Sequence, residues 1–245
     1  MQDRLLATIL AEPPNFHDYK DQLISYWRID DKTCFELNSR LKAGMKTLET
    51  GAGLSTVIFA ASGCDHTCIM PSAALADRIQ SYCRSADIDT GSVRFVIAKS
   101  ADAMPQIDRA TFDLILIDGS HNFPTVFVDF YYAARALKLG GTLIIDDLHI
   151  YTCRLAARFM RSDPGWNMDF INERVAFGRK ISDTIDYEWT KQPFVERRSP
   201  TDRPHASLLR PLVTTQIVAE MVQMQGGRAT ARRIANSILR RVGLR

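Results

Sequence analysis

Three aspartates stand where two apolar strands are predicted to end. Asp118 closes the run that begins at Phe112, and Asp146 and Asp147 close the run that begins at Thr142. If these strands are neighbours, their ends lie ~4.8 Å apart, and the carboxylates converge at the edge where open α/β sheets bind ligands. Like charges this close raise each other's pKa unless a cation or hydrogen-bond donors intervene. Such oxygen ligands suit Mg²⁺ or Mn²⁺, which would hold a substrate hydroxyl and lower its pKa.

A histidine stands beside the first of these aspartates. His121 follows Asp118 by three residues, at the predicted start of a helix. An imidazole there can take a proton from a nucleophile near neutral pH if it reaches the substrate, so His121 is the candidate general base. A capping or packing role stays open, and His149 is the second candidate. The remaining histidines have no supporting context: His17, His66 and His205.

A glycine turn lies where the first predicted strand passes into a helix. It reads Glu49-Thr50-Gly51-Ala52-Gly53-Leu54-Ser55-Thr56, and it lacks the third glycine of the dinucleotide fingerprint. Glycines let a ligand approach the backbone closely, and the helix start offers N–H groups to polar or anionic atoms. A carboxylate at Glu49 is costly unless it is paired, which suggests a cationic or amine-bearing ligand. A structural turn, in which Glu49 caps its own loop, stays open.

An α/β sheet is needed to bring these groups together. From residue 46, short apolar runs alternate with helical patterns, which is typical of a parallel sheet wrapped by helices. Gly140 and Gly141 are predicted to end the helix that Asn122 caps. The predicted strands are 47–49, 66–70, 93–98, 112–118 and 142–146, followed by a hairpin of 167–171 and 174–180. The predicted helices are 55–62, 72–84, 122–137 and 151–161.

These patterns predict one fold class and three segments. The fold is a doubly wound, Rossmann-like sheet of about seven strands, mostly parallel with an antiparallel terminal hairpin. Residues 1–45 are predicted to be a helical N-terminal cap, and residues 46–182 are predicted to form the α/β domain. Residues 183–245 are predicted to be a polar connector followed by basic C-terminal helices.

Composition excludes several classes of protein. The 245 residues are 46% hydrophobic and 24% charged with a net charge of +3, unlike a disordered chain or a strongly basic nucleic-acid platform. No apolar run approaches the ~18 residues that span a bilayer, and no signal peptide is evident. Five scattered cysteines without C-x₂-C spacing predict reduced core thiols. We therefore expect a cytoplasmic protein with no nucleic-acid partner and no transmembrane segment.

Three ordered blocks resemble the class I S-adenosylmethionine-dependent methyltransferases. They are Leu48 to Gly53, Phe112 to His121 and Leu137 to Asp147, and the resemblance covers roughly residues 40–182. In such enzymes the first block embraces the methionine part of the cofactor. The resemblance implies S-adenosylmethionine as cofactor, and it implies these cofactor-binding residues: Glu49, Thr50, Gly51, Ala52, Gly53, Ser55, Thr56, Met70, Ser72, Ser100 and Asp118.

A narrower resemblance concerns the chemistry. Asp118-Gly119-Ser120-His121, together with Asp146 and Asp147, is similar to the metal-assisted O-methyltransferases, including enzymes that act on sugar hydroxyls of natural products. This similarity implies Asp118, Asp146 and Asp147 as ligands of Mg²⁺ and His121 as general base. It implies methyl transfer to a hydroxyl of a small-molecule acceptor. Many metal-free relatives keep an aspartate at these strand ends, so a site without metal stays open.

Two positions depart from the family pattern. Where the family places an acidic residue for the ribose hydroxyls, this sequence reads Ile69-Met70-Pro71-Ser72, and the third-strand turn reads Ala98-Lys99-Ser100. Backbone groups or Ser72 would then hold the ribose. The missing acid also argues against a nicotinamide enzyme. The alternative function is a catalytically silent, methyltransferase-like binding or scaffold protein.

The C-terminal segment differs in charge from the rest of the chain. Residues 226–245 carry six arginines and no acidic residue, which leaves 25 basic and 28 acidic side chains elsewhere. As a helix, this segment would have an apolar stripe flanked by arginines. Such a helix usually packs on its own domain or on a second subunit, and surface docking to a membrane or a partner is the alternative.

Overall fold

A computed structural model describes residues 3–24, 27–183, 188 and 192–196. The chain divides into two compact units, residues 1–187 and residues 188–245. The predicted helices at 207–225 and 228–242, with the basic segment, lie outside the described residues.

The strands, in chain order, are β1 (His17–Tyr19), β2 (Gln22–Ile24), β3 (Lys46–Thr50), β4 (Asp65–Met70), β5 (Val93–Ile97), β6 (Phe112–Ile117), β7 (Leu137–Ile145), β8 (Trp166–Ile171) and β9 (Ala176–Lys180). The helices are α1 (Asp3–Ala11), α2 (Asp31–Arg40), α3 (Leu54–Ala61), α4 (Ala73–Ser85), α5 (Ser100–Ala103), α6 (Thr125–Ala136), α7 (Tyr151–Ser162) and, in the second unit, α8 (Pro193–Glu196). A short 3₁₀ helix (Met104–Gln106) follows α5.

Within the described residues, the main sheet has seven strands in the order β5-β4-β3-β6-β7-β9-β8. Strands β3 to β7 are parallel, and β9 pairs antiparallel with both β7 and β8. The predicted fold class is confirmed. Because the chain runs outward from β3 to β5 and then returns to β6, the switch point where such sheets bind ligands lies between the ends of β3 and β6.

Gly51 allows the chain to turn at this switch point. Its φ is +95°, and a Cβ built on it would lie 2.1 Å from the carbonyl oxygen of Asp118. Hydrogen bonds on both sides fix the approach: the N–H of Asp118 donates to the carbonyl of Thr50 at 2.9 Å, and the N–H of Gly51 donates to Ile69 at 3.0 Å. The glycine turn and the end of β6 therefore lie in direct contact.

Helices cover both faces of the sheet. One face packs against α1 to α4, with Leu37, Ile58 and Ile79 fully buried in that core. The other packs against α6 and α7, where Ile115 and Val126 are fully buried. All five cysteines lie in the described residues, are buried and form no disulfide. Within the described residues, no helix combines the length and the apolar character needed to cross a bilayer.

The boundaries predicted for α6 are wrong. The helix starts at Thr125, after a turn in which Asn122 accepts a hydrogen bond from the Ser120 hydroxyl. It ends at Ala136, because backbone N–H groups of Ala110 and Thr111 bond the carbonyls of its last turn. Strand β7 then begins at once at Leu137 and contains both glycines, which were predicted to end the helix.

The N-terminal segment contains a hairpin that sequence patterns did not predict. Strands β1 and β2 pair antiparallel, with His17 opposite Ile24. Each strand has only three residues, so neither provides the alternation by which strands are recognised. Buried residues of α1 and α2 join the core on the α3 and α4 side of the sheet, and the hairpin reaches the site described next.

Candidate active site

A cavity of about 460 Å³ opens at the switch point. Its walls come from the N-terminal segment, the glycine turn and the residues that follow β6, β7 and β8. Its volume is within the usual range of small-molecule sites. Of the residues predicted to bind cofactor, metal or substrate, the cavity wall includes Ala52, Gly53, Ser55, Asp118, His121, Asp146 and Asp147.

Two of the three aspartates predicted as metal ligands, Asp118 and Asp147, lie close together with His121 on the cavity wall, and Asp146 lines the cavity outside this group. One ligand atom each of Asp118, His121 and Asp147 lies within 4.8 Å of the others. Nε2 of His121 is 3.1 Å from Oδ2 of Asp147 and 4.0 Å from Oδ1 of Asp118. Their side chains are 19–23% exposed, so a ligand in the cavity can reach them.

Asp147 is held in an unusual conformation. Its φ is +57°, a left-handed value that aspartate tolerates better than most residues. Besides His121, its carboxylate contacts Arg174 at 2.8 Å and Nδ1 of His149 at 3.5 Å. Burial alone would raise the pKa of Asp147, but these positive groups, His121 foremost, bring it below the ordinary value.

The pKa values of the other two aspartates are shifted upward. Asp146 is 2% exposed, and its Oδ1 has no hydrogen-bond partner among the described residues. Burial raises the pKa of Asp146 to about 6, although a backbone hydrogen bond from Asp147 and the nearby Arg174 act to lower it. The pKa of Asp118 is also raised well above its ordinary value, by burial first and then by Asp146, against the opposing effect of His121. Both carboxyl groups therefore ionise less readily than an aspartate in water.

His121 is the counter-charge of this cluster. Burial acts to lower its pKa, but the hydrogen bond to Asp147, together with Cys153 and Asp118, raises it to about 10. Nδ1 lies 3.4 Å from the sulfur of Cys153, and the backbone oxygen accepts from the Thr152 hydroxyl. The ring is therefore fixed at both nitrogens, and without a further cation it is protonated at neutral pH.

Glu49, by contrast, is completely buried beneath the glycine turn and does not line the cavity. Its carboxylate accepts hydrogen bonds from Ser55 at 2.6 Å and from Thr56, both in the first turn of α3. Nε2 of His66 lies 3.2 Å away on the neighbouring strand. Such contacts are expected of a carboxylate that caps its own loop, the alternative that the sequence left open.

His66 is a structural residue that sequence reasoning passed over. It is fully buried, is stacked on Phe59 with ring centroids 4.2 Å apart, and has Nδ1 2.9 Å from the Thr47 hydroxyl. The register of β3 and β4 places it beside Thr47 and near Glu49. Only the pairing of two strands brings these residues together, and the spacing along the chain does not reveal it.

Three predicted cofactor residues lie elsewhere. Met70 is 1% exposed in the core, and Ser72 caps α4 by accepting from the N–H of Leu75. Ser100 begins α5. None of them lines the cavity among the described residues, so their role as cofactor ligands stays a prediction.

A further buried acid, Asp129, was not singled out from the sequence. It is fully buried on the inner face of α6, and neither carboxylate oxygen has a hydrogen-bond partner among the described residues. Burial raises its pKa, which the nearby Ser100 and Thr50 hydroxyls partly offset. The hydroxyl of Thr50 also has no hydrogen-bond partner among the described residues. Asp129 lies among the apolar residues of an amphipathic helix, and that position is the signal that could have identified it.

The N-terminal segment supplies part of the cavity wall. His17, Trp27 and Arg28 line the cavity, and Nε2 of His17 is 3.1 Å from where a Cβ on Gly53 would lie. The sequence offered no reason to single out His17, since nothing within 30 residues of it carries a site motif.

One family model matches the central part of the chain. Residues 48–148 match a model described as a methyltransferase domain. No curated protein matches the sequence. These residues are therefore similar to a methyltransferase domain, and S-adenosylmethionine is the cofactor of the class I methyltransferases that the sequence resembles.

Solved structures share the fold at low sequence identity. The O-methyltransferase TomG of Streptomyces achromogenes, involved in tomaymycin synthesis and solved with S-adenosylmethionine, is 15% identical with a TM-score of 0.57. A protein from Corynebacterium glutamicum is 16% identical with a TM-score of 0.55, and cofactor-bound Rv0187 from Mycobacterium tuberculosis is 16% identical with a TM-score of 0.52. Each alignment covers 74% of this chain and 92% of the other.

The burial of Glu49 predicts a loss of stability when it is replaced. We expect Glu49→Gln to lower the free energy of unfolding by about 1.5–3 kcal/mol, because the buried hydroxyls of Ser55 and Thr56 lose a carboxylate acceptor. Urea unfolding followed by circular dichroism measures this. Lys42→Gln, an exposed control just before the same strand, should change stability by less than about 0.5 kcal/mol. A Glu49→Gln protein as stable as the wild type would contradict the structural role.

Proposed function

We propose that this chain transfers a methyl group from S-adenosylmethionine to a hydroxyl of a small molecule, assisted by a divalent metal ion. The observation that carries the proposal is the convergence of Asp118, His121, Asp146 and Asp147 on the cavity beside the glycine turn. The O-methyltransferase TomG supports the choice of oxygen as acceptor only through its shared fold.

The residues of the cavity fit the cofactor. The backbone at Ala52 and Gly53 is open to the cavity, and the acids opposite suit a ligand that carries positive charge. When bound, S-adenosylmethionine supplies an electrophilic methyl group on a sulfonium. The part of this chain is to hold the acceptor oxygen in line with that methyl and to exclude water.

The residues also fit a divalent metal. Asp118, Asp146 and Asp147 would hold it, because they offer carboxylate oxygens, the ligands that Mg²⁺ and Mn²⁺ prefer. The unpartnered Oδ1 of Asp146 and the raised pKa values of Asp118 and Asp146 are what a cation among these groups would relieve. A bound metal would supply a grip on the acceptor oxygen and a lower pKa for its proton.

His121 is the residue placed to remove that proton. It lines the cavity, and Asp147 fixes its orientation at 3.1 Å. Its pKa of about 10 reflects its service as counter-charge to the acids. An added positive charge among the same carboxylates would lower that pKa and free the imidazole to act as a base near neutral pH.

The second candidate function is the silent binding or scaffold protein. It is based on the sequence, which has Met70 at the position where the family usually places a ribose-binding acid. Titration with cofactor separates the two functions, because a scaffold without cofactor would not bind it at millimolar concentration.

The cofactor site predicts a large effect of Gly53→Val. Its branched side chain would enter the space between the turn and His17, so we expect the affinity for S-adenosylhomocysteine to fall by at least about tenfold. Isothermal titration calorimetry measures this. Gly91→Val, at an exposed glycine outside the cavity wall, serves as the control with unchanged affinity. Equal affinities in the two folded variants would show that the cofactor does not bind at this turn.

The metal site predicts Mn²⁺ binding that depends on the acids. Electron paramagnetic resonance should detect one bound Mn²⁺, and Asp118→Asn, Asp146→Asn and Asp147→Asn should each weaken it by about tenfold or more. Asp65→Asn, at an exposed aspartate that begins β4, should not. EDTA should abolish methyl transfer and Mg²⁺ should restore it. Full activity in excess EDTA would rule out the metal-assisted mechanism.

The role of His121 predicts a slow but intact variant. With methyl-labelled S-adenosylmethionine and whichever phenol, catechol or glycoside is methylated, His121→Ala should lower kcat by ~10²–10⁴ near neutral pH. The rate should partly recover at higher pH, where the acceptor loses its proton unaided, while cofactor affinity stays unchanged. A wild-type kcat in His121→Ala would show that His121 is not the general base. A larger fall in kcat in His149→Ala would assign that role to His149 instead.

A further inference from the structure

His17 sits directly over the glycine turn. Its Nε2 would be 3.1 Å, and its Cε1 3.8 Å, from a Cβ at Gly53, with no other heavy atom of the described residues within 4 Å of that position. The ring is half-buried, lies 6.3 Å from the Trp27 ring and lines the cavity. A ligand over Gly53 must therefore contact this imidazole.

Arg78 of α4 clamps the strand that carries His17. On one side its Nε donates to the carbonyl of Phe16 at 2.8 Å, and on the other its Nη2 pairs with Asp18 at 2.9 Å. The Phe16 side chain is 3% exposed and packs edge-on against Tyr82 with centroids 5.6 Å apart. The two residues that flank His17 are thus both tied to α4, which fixes the direction of the imidazole.

The cavity wall contains both charged groups and hydrogen-bond donors. Asp118, Asp146 and Asp147 line it together with His17 and two arginines, Arg28 and Arg174. Arg28 is paired with Asp31 at 2.7 Å and Arg174 with Asp147 at 2.8 Å, whereas the His17 ring lies over Gly53. The first turn of α3 adds backbone N–H groups that favour an anion.

S-adenosylmethionine carries three charged groups, the sulfonium, the ammonium and the carboxylate, and only the carboxylate is anionic. The cationic groups match the aspartates of the cavity, and the carboxylate matches the donors over the glycine turn, which are the His17 ring and the N–H groups of α3. Burial and the nearby Arg78, opposed by Asp18, lower the pKa of His17, so the free protein presents a neutral ring that can donate one hydrogen bond.

We infer that His17 is a cofactor-binding residue supplied by the N-terminal hairpin, and that its ring N–H donates to the carboxylate of S-adenosylmethionine. Arg78 is the positioning residue that holds it there. The inference rests on the proposed cofactor site. It adds His17 to the residues of that site and names the carboxylate as the cofactor group that His17 binds.

Decarboxylated S-adenosylmethionine is the probe, because it lacks only the group in question. By calorimetry, the wild type should bind the complete cofactor at least about tenfold more tightly than the decarboxylated form, the usual contribution of a hydrogen bond to a charged group. His17→Ala should remove this preference by weakening only the complete cofactor. His17→Gln should keep part of it, since its amide can donate.

The controls separate binding from folding. Gln22→Ala, at an exposed position of the same hairpin, should keep the full preference, and circular dichroism should show the wild-type unfolding midpoint for His17→Ala. If that variant unfolds, His17→Gln decides: a retained part of the preference supports the inference. An unchanged affinity in His17→Ala, or an equal loss for both ligands, overturns it.

The two proposals fail differently. A wild type that binds neither ligand at millimolar concentration removes the cofactor site and this inference together, whereas tight binding that is insensitive to His17 removes only the inference. Arg78→Ala should weaken the complete cofactor in the wild-type background and not in His17→Ala. An equal effect in both backgrounds would remove the positioning role of Arg78.

Discussion

A carboxylate removed from water must find donors, and the way Glu49 does so determines the shape of the site. The strand β3 delivers this residue fully buried to its carboxyl end, and Ser55 and Thr56 meet it from the helix that follows. These hydrogen bonds connect the residue before the glycine turn, Glu49, with the residues after it, Ser55 and Thr56. The turn therefore lies over the buried carboxylate. The turn lines the cavity with the backbone at Gly53.

The two acidic groups of the domain have opposite electrostatic character. Glu49 accepts hydrogen bonds from Ser55 and Thr56 and contributes to the fold. Asp118 and Asp146 have raised pKa values, and Oδ1 of Asp146 has no partner among the described residues. A buried charge without compensation costs stability, and such costs concentrate where a ligand will complete the arrangement. Asp147 has a left-handed backbone conformation, and its carboxylate contacts His121 and Arg174.

Much of this architecture could be predicted from the sequence, and the exceptions share a cause. The central parallel strands are buried on both faces, so their apolar runs, such as Phe112–Ile117, can be recognised in the sequence. The acids that end neighbouring parallel strands must meet at one edge of the sheet. The link between Glu49 and His66 depends on the register of two strands, and the residues are 17 positions apart. The hairpin that carries His17 has strands too short for periodicity, and the start of β7 at Leu137 depends on the pairing of that residue with Phe112.

The clamp between Arg78 and the first hairpin also bears on the order of assembly. During synthesis, the hairpin with His17 leaves the ribosome before α4, the helix that anchors it. Asp147 and Arg174, which also line the cavity, emerge much later. Contacts between distant parts of a chain form after local ones. The cavity is thus complete only when the chain has been synthesised and folded as far as Arg174. Until then the hairpin has no cavity to line.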